Sequence, residues 1–104
     1  MIEVKVNTDK NLVEIISSGF LDVGHMRQIK EELLGAHLTK NKILLVIKEV
    51  ENIDLSFLQV LHAFLKKLKN EGRKFEFQWD IDEEYFRLIE RSGFIADFNK
   101  ISNQ

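Results

Sequence analysis

ENIDLSFLQVLHAFLKKLKNEG, residues 51–72, decides the fold. Advancing about 100° per residue from Ser56 brings Phe57, Leu58, Val60, Leu61, Phe64, Leu65 and Leu68 into one arc of roughly 160°. Ser56, Gln59, His62, Ala63, Lys66, Lys67 and Lys69 take the rest of the circumference. This separation predicts a long amphipathic helix with its apolar arc on a core. Asp54 and Ser56 are both residues that open helices, and Gly72 is a residue that closes them. Ser56 falls on the wet side of the first turn. Gln59 and Ala63 continue its strip, at helical spacings of three and four.

Upstream lies KILLVIK, residues 42–48. Its five consecutive apolar residues, Ile43 to Ile47, predict a strand covered on both faces and central in a sheet. Downstream, KFEFQW at 74–79 alternates Phe75, Phe77 and Trp79 inward, as a half-buried strand does. DEEYFRLIERSG at 82–93 predicts another helix. Asp82 can cap it, acidic residues fill its first turn, and Arg91 lies in its last. Gly93 fits a left-handed stop, Phe94 the apolar contact that accompanies one, and Phe98 packs back. ISNQ, residues 101–104, is expected to fray.

Toward the N-terminus, Ile2, Val4 and Val6 alternate with polar residues. TDKN at 8–11 is a turn, and LVEIIS at 12–17 is a second strand, so the two predict a hairpin. The chain pauses at SSGF, where Gly19 supplies backbone freedom. Asp22 then caps a helix with Val23, Met26, Ile29, Leu33 and Leu34 on one side and Arg27, Lys30 and Glu31 off it, ending near Gly35. The order is β-β-α-β-α-β-α. Strands alternating with helices need crossovers, hence an α/β fold with a mainly parallel sheet. The hairpin makes it a four-stranded mixed sheet, covered by about three helices. No proline or Gly/Ser-rich stretch marks a linker, so residues 1–104 are expected to form one domain.

Composition narrows the function. The chain has 104 residues, 44% hydrophobic and 31% charged, with a formal charge of −2. That balance is ordinary for a globular protein and gives no electrostatic case for nucleic acid or anionic lipid. The absence of cysteine removes disulfides, thiolate chemistry and zinc–sulfur sites. No apolar run suits membrane insertion. MIEVKVNTDK carries charges and no apolar core, unlike a signal peptide, so a cytoplasmic location is the expectation.

Few residues suggest chemistry. His25, His37 and His62 are scattered, so no metal-ligand spacing emerges and neither metal nor cofactor is expected. Asp80, Asp82, Glu83 and Glu84 lack a calcium loop's glycine and spacing; a helix start explains them better. Lys66, Lys67, Lys69, Arg73 and Lys74 have no stacking aromatics among them and read as a solvated face. No serine, histidine and acid combination suggests a nucleophile.

Taken in series, ENIDLSFLQVLHAFLKKLKNEGRKFEFQ, YFRLIERSGFIADF and SGFLD resemble the STAS domain of sulfate transporters and anti-sigma factor antagonists. The family places a short Asp-x-Ser segment at the start of a long helix, here Asp54-Leu55-Ser56. The resemblance implies a non-catalytic interaction module whose partners switch. In the bacterial antagonists a partner kinase phosphorylates that serine and so releases itself, and a phosphatase resets the system. The matching target is Ser56. The chain departs from the family pattern at Leu55 and Phe57, where a small residue and a glycine are usual.

The physics of the position suits this. A helix's first turn presents unpaired N–H groups and a positive dipole end, which favour an attached phosphate. A partner docked on Ile53, Asp54, Leu55, Gln59 and Ala63 would meet about −1.5 to −2 new charges. Capping alone also accounts for Asp54 and Ser56. Two other readings stand beside the switch: an unphosphorylated subunit bracing a larger complex, such as a lipid-transport ATPase or chemosensory assembly, and an enzyme or small-ligand binder, for which no convergent titratable set is present.

Overall fold

The computed structural model describes residues 1–36, 38 and 40–102, with only the backbone of 99, 101 and 102. The chain runs β1 (Ile2–Asn7), β2 (Leu12–Leu21), a 3₁₀ turn (Val23–His25), α1 (Met26–Leu34), β3 (Lys42–Ile53), α2 (Leu55–Asn70), β4 (Lys74–Asp80), α3 (Glu83–Arg91) and α4 (Phe94–Ser102). The sheet order is β1-β2-β3-β4. β1 pairs antiparallel to β2, and both β2–β3 and β3–β4 are parallel. This is the four-stranded mixed α/β sheet expected.

The register shows how the core forms. Val13, Ile43 and Phe75 lie abreast, as do Ile15, Leu45 and Phe77. These rows meet the apolar arc of α2, where Phe57, Leu58, Leu61, Phe64, Leu65 and Leu68 are buried. Ile29 and Leu33 of α1, Ile89 of α3 and Phe98 of α4 join the same cluster, so every helix packs on one face of the sheet. Each such buried side chain contributes about 1.5–3 kcal/mol relative to exposure, and that sum fixes α2 against β3.

Several expectations need correction. The apolar run in β3 is not covered by helices on both faces. Leu44 and Val46 point to the bare face, where their shelter comes from neighbours such as Ile16. The β2 strand does not end at Ser17. It continues to Leu21, with register shifts on either side of Gly19 accommodated by the left-handed φ of 79° there. β3 runs five residues past Lys48, to Ile53, with Glu49 at a φ of 51° beside the same irregularity. Val23 and Leu34 are exposed rather than buried. Val23 belongs to the 3₁₀ turn, so the rotation per residue assumed for an α-helix does not reach it.

The C-terminal segment holds a fourth helix. Gly93 does adopt the left-handed stop, at φ 83°. The chain then restarts as α4, and Phe98 stacks on Phe77 with ring centroids 5.4 Å apart. Residues 101 and 102, expected to fray, close that helix; residues 103 and 104 lie outside the described residues.

The basic patch is partly structural. The Arg73 guanidinium donates to the carbonyls of Lys40 and Leu38 and pairs with Glu71 at 3.0 Å. It thereby ties the segment between α1 and β3 to the end of α2. Among the described residues, no helix is long and apolar enough to cross a membrane.

Candidate functional site

β2 and β3 are the two central strands, and their last paired residues are Leu21 and Ile53. The next residue of each is an aspartate, Asp22 and Asp54. Both leave the sheet at its carboxyl end, where crevices form in open α/β folds. The Asp54 N–H donates to the Leu21 carbonyl at 3.2 Å, which fixes the two segments together.

Asp54 is the N-cap of α2, with extended backbone. Its Oδ1 accepts the Ser56 N–H at 2.9 Å and also the Ser56 hydroxyl. Its Oδ2 accepts the Val23 N–H at 2.9 Å. One carboxylate thus caps α2, holds the serine and ties α2 to the turn before α1. Burial pushes the Asp54 carboxyl up, but hydrogen bonds from the Ser56 side chain and from the Val23, Ser56 and Phe57 N–H groups outweigh it. The net effect keeps it below the usual carboxylate range and ionised at neutral pH.

Ser56 is half-buried, at the second position of α2. It is not the cap, and its hydroxyl is engaged rather than simply solvated. Leu55 before it is exposed, while Phe57 after it is fully buried in the core. Gln59 and Ala63 are exposed and extend the strip down α2. Ile53, expected on the partner surface, is buried; its side chain belongs to the core cluster. The reason is the sheet register, since Ile53 is still a paired β3 residue opposite Leu21.

Three features escaped the sequence. The first is an apolar lip: Val23 (74% exposed), Phe20 (49%) and Leu55 (49%) come from three elements around the Asp22–Asp54 junction. The second is a polar network beside it. The Asp22 carboxylate contacts His25 Nδ1 at 2.8 Å and accepts from the Asn52 amide at 3.1 Å. The His25 bond first, then the Asn52 bond, lower the Asp22 pKa. The His25 ring stacks on Phe20 at 5.3 Å. The third is a shallow groove of about 610 Å³ between α3 and the end of β3, lined by Asn52, Ile53, Tyr85, Arg87, Leu88 and Arg91 among others. The Tyr85 hydroxyl donates to the Glu51 carbonyl at 3.0 Å and fixes α3 there. Val23, an apolar residue directly after the Asp22 cap, was the available signal for the lip, had its place outside the α-helix been read.

The other residues singled out fall elsewhere. His62 packs on the Phe94 and Phe98 rings, and His37 lies outside the described residues. Asp82 is the N-cap of α3 by its backbone, without a side-chain cap bond. Among the described residues, no three His, Asp or Glu side chains group so as to hold a metal.

The STAS domain model matches residues 2–104, and the chain belongs to that family. Among solved structures, the NMR structure of the protein TM1081 is similar with a TM-score of 0.66 and 25% identity, covering 97% of this chain and 77% of that one. The anti-sigma factor antagonist SpoIIAA in its unphosphorylated form shares the fold with a TM-score of 0.65 and 13% identity, over 90% of this chain and 82% of that one. Mglu shares it with a TM-score of 0.59 and 12% identity, over 78% of this chain but only 26% of that one. A comparison with curated protein sequences finds no match.

Proposed function

We propose that the chain is a non-catalytic interaction module of the anti-sigma-factor-antagonist kind, acting in the cytoplasm, whose partner choice depends on phosphorylation of Ser56. The observation that carries this reading is the shared carboxylate of Asp54. It accepts from the Ser56 hydroxyl and from the N–H groups of Ser56 and Val23. A kinase moving a phosphoryl group from ATP to Ser56 Oγ removes the hydroxyl proton, and with it the donor to Asp54. It also places about −1.5 to −2 charges beside an ionised carboxylate. Repulsion favours swinging Asp54 away from Ser56, and the phosphate can take over the free N–H groups of the α2 start. The tie to Val23 is then lost and the lip of Phe20, Val23 and Leu55 changes shape. A partner seated on Asp54, Leu55, Gln59, Ala63 and that lip must either bury the new charge or leave. The partner class is a serine kinase of the anti-sigma type, with a phosphatase to reverse the step. Likeness of fold to an anti-sigma factor antagonist supports the choice. The test compares Ser56→Asp with Ser56→Ala in binding to the cognate kinase by calorimetry. The reading expects Ala to bind and Asp to bind at least tenfold more weakly; equal affinities would remove the switch.

A second reading is a constitutive subunit bracing a larger complex. The exposed apolar lip favours it, since Val23, Phe20 and Leu55 suit a permanent contact as well as a regulated one. Mass spectrometry of protein from its own cells discriminates: stable co-purification with one assembly and no phosphate on Ser56 supports bracing.

A further inference from the structure

We propose that the outer edge of β1 is a self-association site, where a second copy of this chain adds its own β1 antiparallel to form one eight-stranded sheet. The strand directions follow from its pairing with β2. Met1 and Ser18 exchange both backbone bonds, since Met1 N donates to the Ser18 carbonyl and Ser18 N to the Met1 carbonyl. In an antiparallel ladder such exchanging pairs alternate. Glu3, Lys5 and Asn7 therefore bond to β2, and Ile2, Val4 and Val6 aim their N–H and C=O groups away from it. The Ile2 N–H agrees, because it donates outward to Glu32 of α1 at 3.0 Å.

The side chains select the occupant. Val4 is 39% and Val6 50% exposed, an unusual state for valines on the helix-bearing side of a sheet. Glu3 and Lys5 lie on the opposite, bare side, paired along the strand at 3.6 Å and both exposed. Such exposed pairs contribute little by themselves. Two β1 strands related by a two-fold axis at Val4 place Val4 opposite Val4 and Ile2 opposite Val6. Glu3 of each copy then faces Lys5 of the other. Opposite charges and apolar side chains match at every paired position, with Glu3 and Lys5 in the closer, non-hydrogen-bonded pairs. The strand is complementary to itself, which a random edge is not. Of the outward donors, only Ile2 N–H must give up its present acceptor, Glu32. The two-fold axis points the two β3 strands in opposite directions, so the Ser56 ends lie at opposite sides of the joint sheet and stay open. The inference is independent of what Ser56 does.

Sedimentation equilibrium over the micromolar to millimolar range tests it. The wild type is expected to show a reversible monomer–dimer equilibrium. Glu3→Lys and Lys5→Glu should each raise the dissociation constant at least tenfold by facing like charges. The double swap, Glu3→Lys with Lys5→Glu, should restore it to within about threefold. Val4→Pro removes one outward N–H and no bond to β2, as proline does on an edge, and should abolish the dimer. Ser56→Asp should leave it unchanged. A wild type monomeric throughout that range, as it would be if this edge received another protein, overturns the proposal. So does a double swap that folds, as judged by unchanged thermal unfolding, yet fails to restore association. The charge swaps decide the matter even if Val4→Pro does not fold.

Discussion

Replacing Asp54 by alanine separates its three contacts from the rest of the fold. The carboxylate caps α2 through Ser56 N–H at 2.9 Å, holds the Ser56 hydroxyl, and ties Val23 N–H at 2.9 Å. Loss of an N-cap costs about 0.5–2 kcal/mol. The Val23 bond is exposed, so water replaces much of it, and the Ser56 hydroxyl can turn to solvent. The expected sum is about 1.5 kcal/mol, which corresponds to a melting temperature lowered by roughly 6–12 °C in a domain of this size. Urea unfolding at pH 7 measures it. The pH dependence adds a second constraint. The folded pKa of Asp54 lies below its ordinary value of 3.8, so its contribution is fully present above that value. It is lost as pH falls through the folded pKa. The gap between wild type and Asp54→Ala should therefore narrow in acid. Asp54→Asn, which keeps an acceptor but cannot ionise, should retain part of the cap without that pH dependence. A cost under about 0.3 kcal/mol at pH 7, against the cap magnitude expected, would refute the role of Asp54. So would a gap that stays constant into acid.

Other expectations are open to measurement. Phe64→Ala should cost about 3–5 kcal/mol in chemical denaturation, because the ring is fully buried between α2 and the sheet. Arg73→Lys should behave nearly as badly as Arg73→Ala, each losing about 1–2 kcal/mol in thermal melts, because one ammonium cannot reach the Lys40 and Leu38 carbonyls as the guanidinium fork does. Gly93→Ala should cost about 1–2 kcal/mol from its φ of 83° alone, since a Cβ there meets nothing within 4 Å; a larger loss would point to a clash. Val23→Asp should leave the melting temperature within about 2 °C, as surface changes do, while weakening whatever partner the lip receives, as read by co-purification.

Much of this protein was legible one element at a time. The separation of apolar and polar residues over 51–72 specified α2 and its buried face, because a helix of 3.6 residues per turn allows only one face to collect those side chains. Gly72 and Gly93 marked left-handed positions, since few other residues take a positive φ without strain. The Asp54–Ser56 segment was legible as a helix start, and local chemistry alone sufficed for that. Three outcomes depended on contacts between distant segments. Asp54 became more than a local cap because its second oxygen is held by Val23 N–H, thirty-one residues away in the chain. Ile53 went into the core because β3 stays paired with β2 up to that residue, a length set by the partner strand and its irregularity at Gly19. Phe20, Val23 and Leu55 came to flank one junction only when the carboxyl ends of two parallel strands were brought side by side. Sequence periodicity reports which face of an element is apolar. Which elements meet, and so which residues at their ends are covered or left in water, is decided by tertiary packing.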